Sequence, residues 1–486
     1  MPLYNQKQNI SINPRGITYA FLFVGLIALA YAVIIGKMMI AGAIILFPIC
    51  LLLGLYGMQY PMFSYILYCI VNLYFAAIYR YTEVEGLSGI HDIFLYICIF
   101  SLCINIVGGK GKDYYWRNAF NILTIGQITW ICFCILELLS PHSHLHDIVT
   151  SRGFFTVIPL SYLVSGILLN SHKKLRAVIL LLGIFVITAA IKLYWQKSHG
   201  WDWAETKFLI VYEAWHTHLL RDGIRYFSFF SDAGNFGAIM GVFFTSFSLI
   251  STTIKKSQFR WFCIVVSLLA GTGLIMSGTR GAVVIPFSGL FLYLILSKKL
   301  QAIAISAIVG LTAFSFFYFT DIGNDNSFIR RTRTAFRPQE DASYNVRVEN
   351  RRRFAHYLQD KPFGVGVGGR IVDTEQLMDL KEDFIPTDSY YVDIWVENGI
   401  VGLIFYLTFL SFILLRCCYI LLFKVHNPQL RQILIALLAG VFGLWINGYV
   451  GRGMGASPGN LLIPIFLSFV LNGPYIEKRM NPDYKF

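Results

Sequence analysis

Charge is scarce in this sequence. Asp, Glu, Lys and Arg make up 14% of its 486 residues, against about 25% in an ordinary soluble domain. Water therefore cannot be the main solvent of such a chain. Clustered cysteine is lacking as well. Cys50, Cys69, Cys98, Cys103, Cys132, Cys134, Cys263, Cys417 and Cys418 all lie inside apolar runs, where thiols behave as small hydrophobes, and their spacing suits neither a disulfide framework nor a zinc site. The sequence also has no Walker loop, His-Glu-x-x-His pair, Rossmann glycine pattern or solenoid repeat. Nucleotide, zinc-hydrolase and dinucleotide chemistry are left without a motif.

What is present instead is apolar: 56% hydrophobic and 16% aromatic residues, with a mean hydropathy of +0.60. Runs of about 17 to 25 residues, each long enough to cross a hydrocarbon core of about 30 Å, occupy 17–36, 39–58, 62–79, 92–108, 119–139, 154–170, 176–194, 234–253, 261–277, 281–298, 301–320, 399–423, 433–450 and 459–473. The expected fold is all-α, a polytopic transmembrane bundle of about 14 spans (roughly 12 to 14), because backbone in lipid must satisfy its polar groups within each helix. Met1 to Arg15 is polar and no Ala-x-Ala pattern follows the first run, so no removable signal peptide is expected.

The short connections alternate in charge. One set carries Lys7 and Arg15, Lys110 to Arg117, Lys173 to Arg176, Lys255 to Arg260, Lys298 and Lys299, Lys424 and Arg431, and Lys478 to Lys485; the other holds only Lys37, Arg80, Arg152, Arg280 and Arg452. Cationic loops stay in the cytoplasm, which places both termini there. The chain then divides into N-terminal spans at 1–194, a first outer loop at 195–233, further spans at 234–320, a long outer loop with short helices at 321–398, and C-terminal spans with a cytoplasmic tail at 399–486. The net charge of +13 points to anionic lipid, since no soluble domain large enough to bind nucleic acid is present.

Four constellations carry chemistry. Ser277-Gly278-Thr279-Arg280-Gly281 is a very short outer hairpin. Its arginine is either an interfacial anchor or an anion ligand whose planar fork matches phosphate oxygens. The long outer loop runs from Arg330, Arg331, Arg333 and Arg337 through Arg347, Arg351, Arg352 and Arg353 to Lys361-Pro362-Phe363-Gly364-Val365-Gly366-Val367-Gly368-Gly369-Arg370. It is a solvated basic face with a tight glycine turn, or a cradle for a pyrophosphate through exposed N–H groups. Pro386-Thr387-Asp388-Ser389-Tyr390-Tyr391 precedes Glu397-Asn398-Gly399-Ile400-Val401-Gly402; there Asp388 is a helix N-cap or a proton acceptor for an attacking hydroxyl. Arg221 to Asn235 closes the first outer loop, with Arg225 and Asp232 able to pair and the aromatic run Tyr226 to Phe230 expected as an interfacial belt.

The order of these elements resembles the bacterial O-antigen polymerase/ligase family, over about residues 221–410. In that family a Ser-x-Thr-Arg-Gly hairpin is followed by a long extracytoplasmic loop with an arginine about fifteen residues before a proline–glycine element. Here Arg347 precedes Pro362 by fifteen, and Pro362-Phe363-Gly364-Val365-Gly366 is that element. The family's His-Asn-x-Tyr before a Glu-x-Gly-x-x-Gly helix start aligns with Asp388-Ser389-Tyr390-Tyr391 before Glu397, Gly399 and Gly402. Asp388 thus stands where the ligases have histidine and Ser389 where they have asparagine. That departure weakens the ligase reading.

The resemblance implies a glycosyltransferase of the bacterial cytoplasmic membrane. It would polymerise polyprenyl-diphosphate-linked repeat units at the outer face, with a glycan or lipid acceptor, membrane lipid and a chain-length regulator as partners. The alternatives are an O-antigen ligase and, from another class, a non-enzymatic glycolipid flippase or transporter. Asp388, Arg280 and Arg347 are the expected catalytic residues. Arg225, Arg351, Gly364, Gly366, Arg370, Ser389 and Tyr391 are expected to bind diphosphate or glycan. No tight Asp/Glu cluster of the kind Mg²⁺ requires stands on the outer loops, so neither metal nor cofactor is expected.

Overall fold

The computed structural model describes residues 25, 31, 38–83, 88–109, 114, 116–137, 155–220, 223–297, 311–312, 314–323, 325, 330, 333, 337, 342–367, 387 and 389–480. Nearly all of it is helix. We number the α-helices α1 Met38–Gln59, α2 Pro61–Leu73, α3 Phe75–Thr82, α4 Ser88–Val107, α5 Ile122–Glu137, α6 Val157–Leu168, α7 His172–His199, α8 Trp203–Val211, α9 Trp215–His218, α10 Ala233–Thr253, α11 Ser257–Met276, α12 Val284–Ser297, α13 Ala342–Tyr357, α14 Tyr390–Phe423, α15 Pro428–Asn447, α16 Gly459–Leu471 and α17 Gly473–Lys478. A short 3-10 turn, Arg280–Val283, leads into α12, and two-residue strands β1 Leu219–Leu220 and β2 Gly223–Ile224 pair antiparallel.

Six helical segments among the described residues are long and apolar enough to cross a membrane, or seven if α2 and α3, bent by 60° at Tyr74, count as one span. Shorter apolar helices lie at 92–107, 122–136, 157–168 and 459–471. The first expected run, 17–36, lies outside the described residues except at 25 and 31, and 301–320 is described only from 311. Two helices continue past the expected loop boundaries, with α7 reaching His199 and α14 starting at Tyr390.

Helices with apolar residues on every side pack against protein on one side and lipid on the other. The centre belongs to α10 and α15, each buried over 78% of its most apolar window, whereas α14 is buried over only 28% and lies at the lipid-facing edge. α10 packs on α11 and α15, and α15 on α12 and α16. Small residues permit the closest of these contacts: a methyl at Gly443 of α15 would lie 2.6 Å from the Ile285 carbonyl oxygen of the α12 segment. Cys69, Cys98, Cys103, Cys132, Cys134, Cys263, Cys417 and Cys418 are free thiols within helices.

Candidate active site

The hairpin between α11 and α12 is fixed from three sides. Thr279 Oγ1 donates to the Ala233 carbonyl at the start of α10 (2.8 Å), and Asn447 Nδ2 at the end of α15 donates to the Gly281 carbonyl (2.8 Å). Arg225, just after β2, donates from Nη2 to Thr279 Oγ1 (2.9 Å), from Nε to the Ser277 carbonyl (3.3 Å) and from Nη1 to the Thr217 carbonyl (3.0 Å). These bonds hold Arg280 at the entry to its 3-10 turn, partly exposed and facing a cavity.

That cavity is about 1090 Å³ in volume. Its lining brings together Arg225, Arg280, Arg347 from α13 and Tyr391 from the first turn of α14, four of the residues the sequence nominated. Arg452, Asn447 and His218 join them, and Val284, Phe287, Leu407 and Ile446 form an apolar wall. Tyr391 donates its hydroxyl to the Trp445 carbonyl (2.7 Å). Asp232 also lines the space. Its Oδ1 caps α10 at the Asn235 N–H (2.9 Å) and its Oδ2 accepts from Ser231 Oγ (2.8 Å).

The turn after α15 is the part the sequence reading missed. Gly451 and Gly448 offer their carbonyls to the N–H groups of Tyr390 (3.1 Å) and Tyr391 (3.4 Å), donors at a helix start that have no partner within α14. Arg452 donates from Nε to the Thr387 carbonyl (2.8 Å), from Nη2 to Thr387 Oγ1, and to buried Asp393 at 3.1 Å. A signal existed: Gly448-Tyr449-Val450-Gly451-Arg452-Gly453 is an arginine among glycines between two apolar runs, as at Arg280.

His218 closes the other side. Its Nε2 accepts from the Ala233 N–H (3.2 Å), so its proton sits on Nδ1, which donates to the Ala214 carbonyl (2.8 Å). Burial pushes its pKa below the usual imidazole range; the Ala214 bond opposes this and the charge on Arg225 reinforces it.

Several expectations need correction. Gly364 and Gly366 do not line the cavity, and their N–H groups are already engaged, with the Lys361 carbonyl (3.0 Å) and the Glu397 carbonyl (2.8 Å). The Val365 N–H donates to the Val396 carbonyl (3.0 Å) and the Val401 N–H to the Pro362 carbonyl (3.2 Å). Gly399, at φ 65° and ψ −172°, breaks α14 at this point. The Pro-Phe-Gly-Val-Gly segment is spliced into that break and satisfies the backbone the break frees. In this structure the segment is a joint, with its glycine N–H groups bonded within the chain.

The N-cap of α14 is Ser389, whose Oγ accepts from the Val392 N–H (3.4 Å), so Ser389 supplies the cap that the sequence offered to Asp388. Arg351 donates to the Tyr449 carbonyl (2.9 Å) and stacks on the Tyr449 ring at 4.1 Å, bracing the rim. The aromatic run is core, not a belt, at Phe227 and Phe230, which are buried beside Arg80. Arg80 donates to the carbonyls of Ser228 and Phe230 and lies 4.6 Å over the Phe227 ring. In the long loop, Arg333 and Arg337 bind the nearby carbonyls of Ile322 and Tyr318, and Arg352 and Arg353 lie near Glu349. Asp388 and Arg370 lie outside the described residues.

Residues 265–407 match the family model described as O-antigen ligase. That stretch runs from α11 into α14 and holds Arg280, Arg347, Pro362 to Gly366 and Gly399. An O-antigen polymerase of Salmonella muenchen is 25% identical over 188 residues, covering 37% of this chain and 44% of that protein. The chain therefore matches less than half the length of that curated relative. Arg225, Asn447 and Arg452 lie outside the family-model match, so elements before and after it complete the cavity wall. Together the two likenesses agree with the resemblance read from the motifs: this chain is similar to O-antigen ligases over residues 265–407 and, over 188 residues, to an O-antigen polymerase.

Proposed function

We propose that this chain polymerises polyprenyl-diphosphate-linked oligosaccharide repeat units at the outer face of the bacterial cytoplasmic membrane, in a bundle of about 14 spans with both termini cytoplasmic. The observation that carries the reading is one cavity lined by arginines from four separate parts of the chain, Arg225, Arg280, Arg347 and Arg452, together with the apolar Val284, Phe287, Leu407 and Ile446. Such a lining suits an amphiphile whose head is a diphosphate and whose tail is hydrocarbon.

In this reading an acceptor hydroxyl oxygen attacks the anomeric carbon of the donor. The bond from that carbon to the diphosphate oxygen breaks with its electron pair on the leaving group, and the hydroxyl proton passes to the Asp388 carboxylate. Charge grows on the departing oxygen, so Arg280 and Arg347 stabilise the transition state more than the substrate. Arg225 acts by fixing the hairpin that carries Arg280. No metal is needed for the charge these residues supply. Ligation is the second reading, favoured by the description of the matching family model and disfavoured by Asp388 in place of histidine.

Purified protein given only lipid-linked repeat units should yield a ladder of products, whereas transfer solely to a lipid A-type acceptor would make it a ligase. Arg280→Ala should lower turnover by about 10²- to 10³-fold, as loss of an oxyanion donor does, at unchanged melting temperature. Arg280→Lys should recover little, because an ammonium cannot reproduce a bidentate fork. Full turnover by Arg280→Ala would remove the cavity from the mechanism. For the topology, Lys361→Cys should label from outside intact cells and Lys174→Cys should not; the reverse pattern would invert the chain.

A further inference from the structure

The far end of α14 holds a charged group that the proposed transfer does not use. Arg416 lies seventeen residues beyond Gly399, roughly 25 Å along the helix at 1.5 Å per residue. It is exposed on a face shared with Phe412, Leu415, Tyr419 and Phe423, all of them exposed. The segment is one that spans a membrane by length and composition, so this face meets lipid. A charge on such a face is costly unless something compensates it.

Protein oxygens compensate Arg80, Arg225, Arg351 and Arg452. Arg416 stacks on the Tyr419 ring at 5.5 Å, and no hydrogen bond or ion pair joins it to another described residue. It opens instead into a cavity of about 420 Å³ that it shares with Asn118, Phe120, Asn121, Ile125 and Leu471. The polar part of this wall is rigid. Asn118 Nδ2 donates to Asn472 Oδ1, and Asn121 donates to the Asn118 carbonyl (2.9 Å) while capping α5 through the Leu123 N–H (2.8 Å).

We propose that this cavity is a binding site for the phosphodiester headgroup of an anionic membrane phospholipid, with the Arg416 guanidinium on the phosphate oxygens. The acyl chains would run along the exposed apolar side chains of α14. A guanidinium fork matches a phosphodiester bidentately. Basic pockets between spanning helices are where anionic headgroups bind. This site does not depend on the transfer reading, since it lies at the opposite end of α14 from Tyr391.

The test uses the full chain in nanodiscs of phosphatidylcholine, with and without phosphatidylglycerol. Native mass spectrometry reads retained lipid and intrinsic fluorescence reads the melting temperature. Wild type should hold phosphatidylglycerol through detergent extraction and melt higher in its presence. Arg416→Gln should bind it roughly tenfold more weakly, the scale of one charge-assisted contact, and lose the melting gain. Leu471→Trp, which fills the cavity without touching the charge, should lose the same lipid. Lys256→Gln, a cation outside the cavity, should lose none. Retention of phosphatidylglycerol by Arg416→Gln at the wild-type level would overturn the site. An Arg416-dependent melting gain from inorganic phosphate alone, in discs of phosphatidylcholine only, would show a free-phosphate site and overturn the lipid assignment.

Discussion

The Ser277–Gly281 hairpin and the Pro362–Gly366 segment read alike as sequence, each a glycine-bearing stretch with arginine or lysine beside it, yet the structure uses them for opposite purposes. In the hairpin, Asn447 and Arg225 donate to the carbonyls of Gly281 and Ser277, Thr279 donates to the Ala233 carbonyl, and Arg280 faces a cavity. In the second segment the backbone itself is the working part, and its N–H groups and carbonyls close the break in α14. Glycine signals that something approaches the main chain closely. Whether that something is a ligand or another strand of the same protein is decided by residues distant in sequence.

The largest expected effect separates these two uses. A methyl at Gly399 would fall onto the Pro362 carbonyl oxygen, and one at Gly364 would lie 2.5 Å from the Gly399 nitrogen, at φ of 65° and 75°. Strain in the left-handed region and overpacking each cost on the order of 1–3 kcal/mol. Gly399→Ala should therefore lose roughly 3 kcal/mol or more of stability and yield little monodisperse protein by size-exclusion profile. The activity of each surviving folded molecule should be near normal. Arg280→Ala should do the reverse. If Gly364→Ala and Gly399→Ala melted like wild type while losing turnover, the second segment would be a cradle after all.

A middle-sized effect belongs to Arg452, which joins the two regions by holding Thr387 and Asp393. Its side chain is half exposed while that of Asp393 is only 6% exposed, so solvent screening limits the pair to about 1–2 kcal/mol. Arg452→Gln should lower the melting temperature by a few degrees and slow transfer roughly 10- to 100-fold by loosening the start of α14. Asp393→Asn in the same chain should restore stability by removing the buried carboxylate that has lost its Arg452 contact. It should not restore transfer. Recovery of both would mean that Arg452 matters only for folding.

Much of this was legible in the sequence. Apolar run lengths fixed the all-helical class because lipid leaves the backbone no other solution, and the arginine hairpin stood out because it puts a cation in a very short turn between two apolar runs. The function of Gly364 and Gly366 was not legible, since the residues they pack against, Glu397 and Gly399, stand at the expected boundary between outer loop and span, where no pattern announces a break in a helix. Arg452 was counted as loop charge, and Arg225 as a local pair of Asp232 or a ligand of the diphosphate. Their partners lie 65 and 54 residues away, at Thr387 and Thr279, and a one-dimensional pattern carries no such pairing. Arg80 was missed for the same reason: its acceptors are main-chain carbonyls, which have no residue type to recognise.

The smallest effect concerns His218, which ties the β-hairpin side of the cavity to the start of α10. Folding holds it neutral, with Nε2 accepting from the Ala233 N–H and a pKa pushed down chiefly by burial, with Arg225 and Arg80 opposing protonation and Asp232 favouring it. The unfolded chain binds a proton at about pH 6.5, so below that pH the unfolded state holds more protons than the folded one and stability falls with the pH. Above about pH 7 this contribution is complete and constant. Asp202, whose pKa stays below the usual carboxylate range because its bonds to Lys192 and Tyr81 outweigh the opposing effect of burial, loses its contribution only near pH 4 and below, so the two windows do not overlap. Melting temperature should accordingly be flat from about pH 8 to 7 and decline from about pH 6.5 to 5. His218→Gln, whose amide oxygen can accept the same N–H but cannot be protonated in this range, should flatten the decline while lowering the plateau slightly. An unchanged slope in His218→Gln would assign the acid sensitivity to another group and leave His218 as a neutral spacer between Ala214 and Ala233.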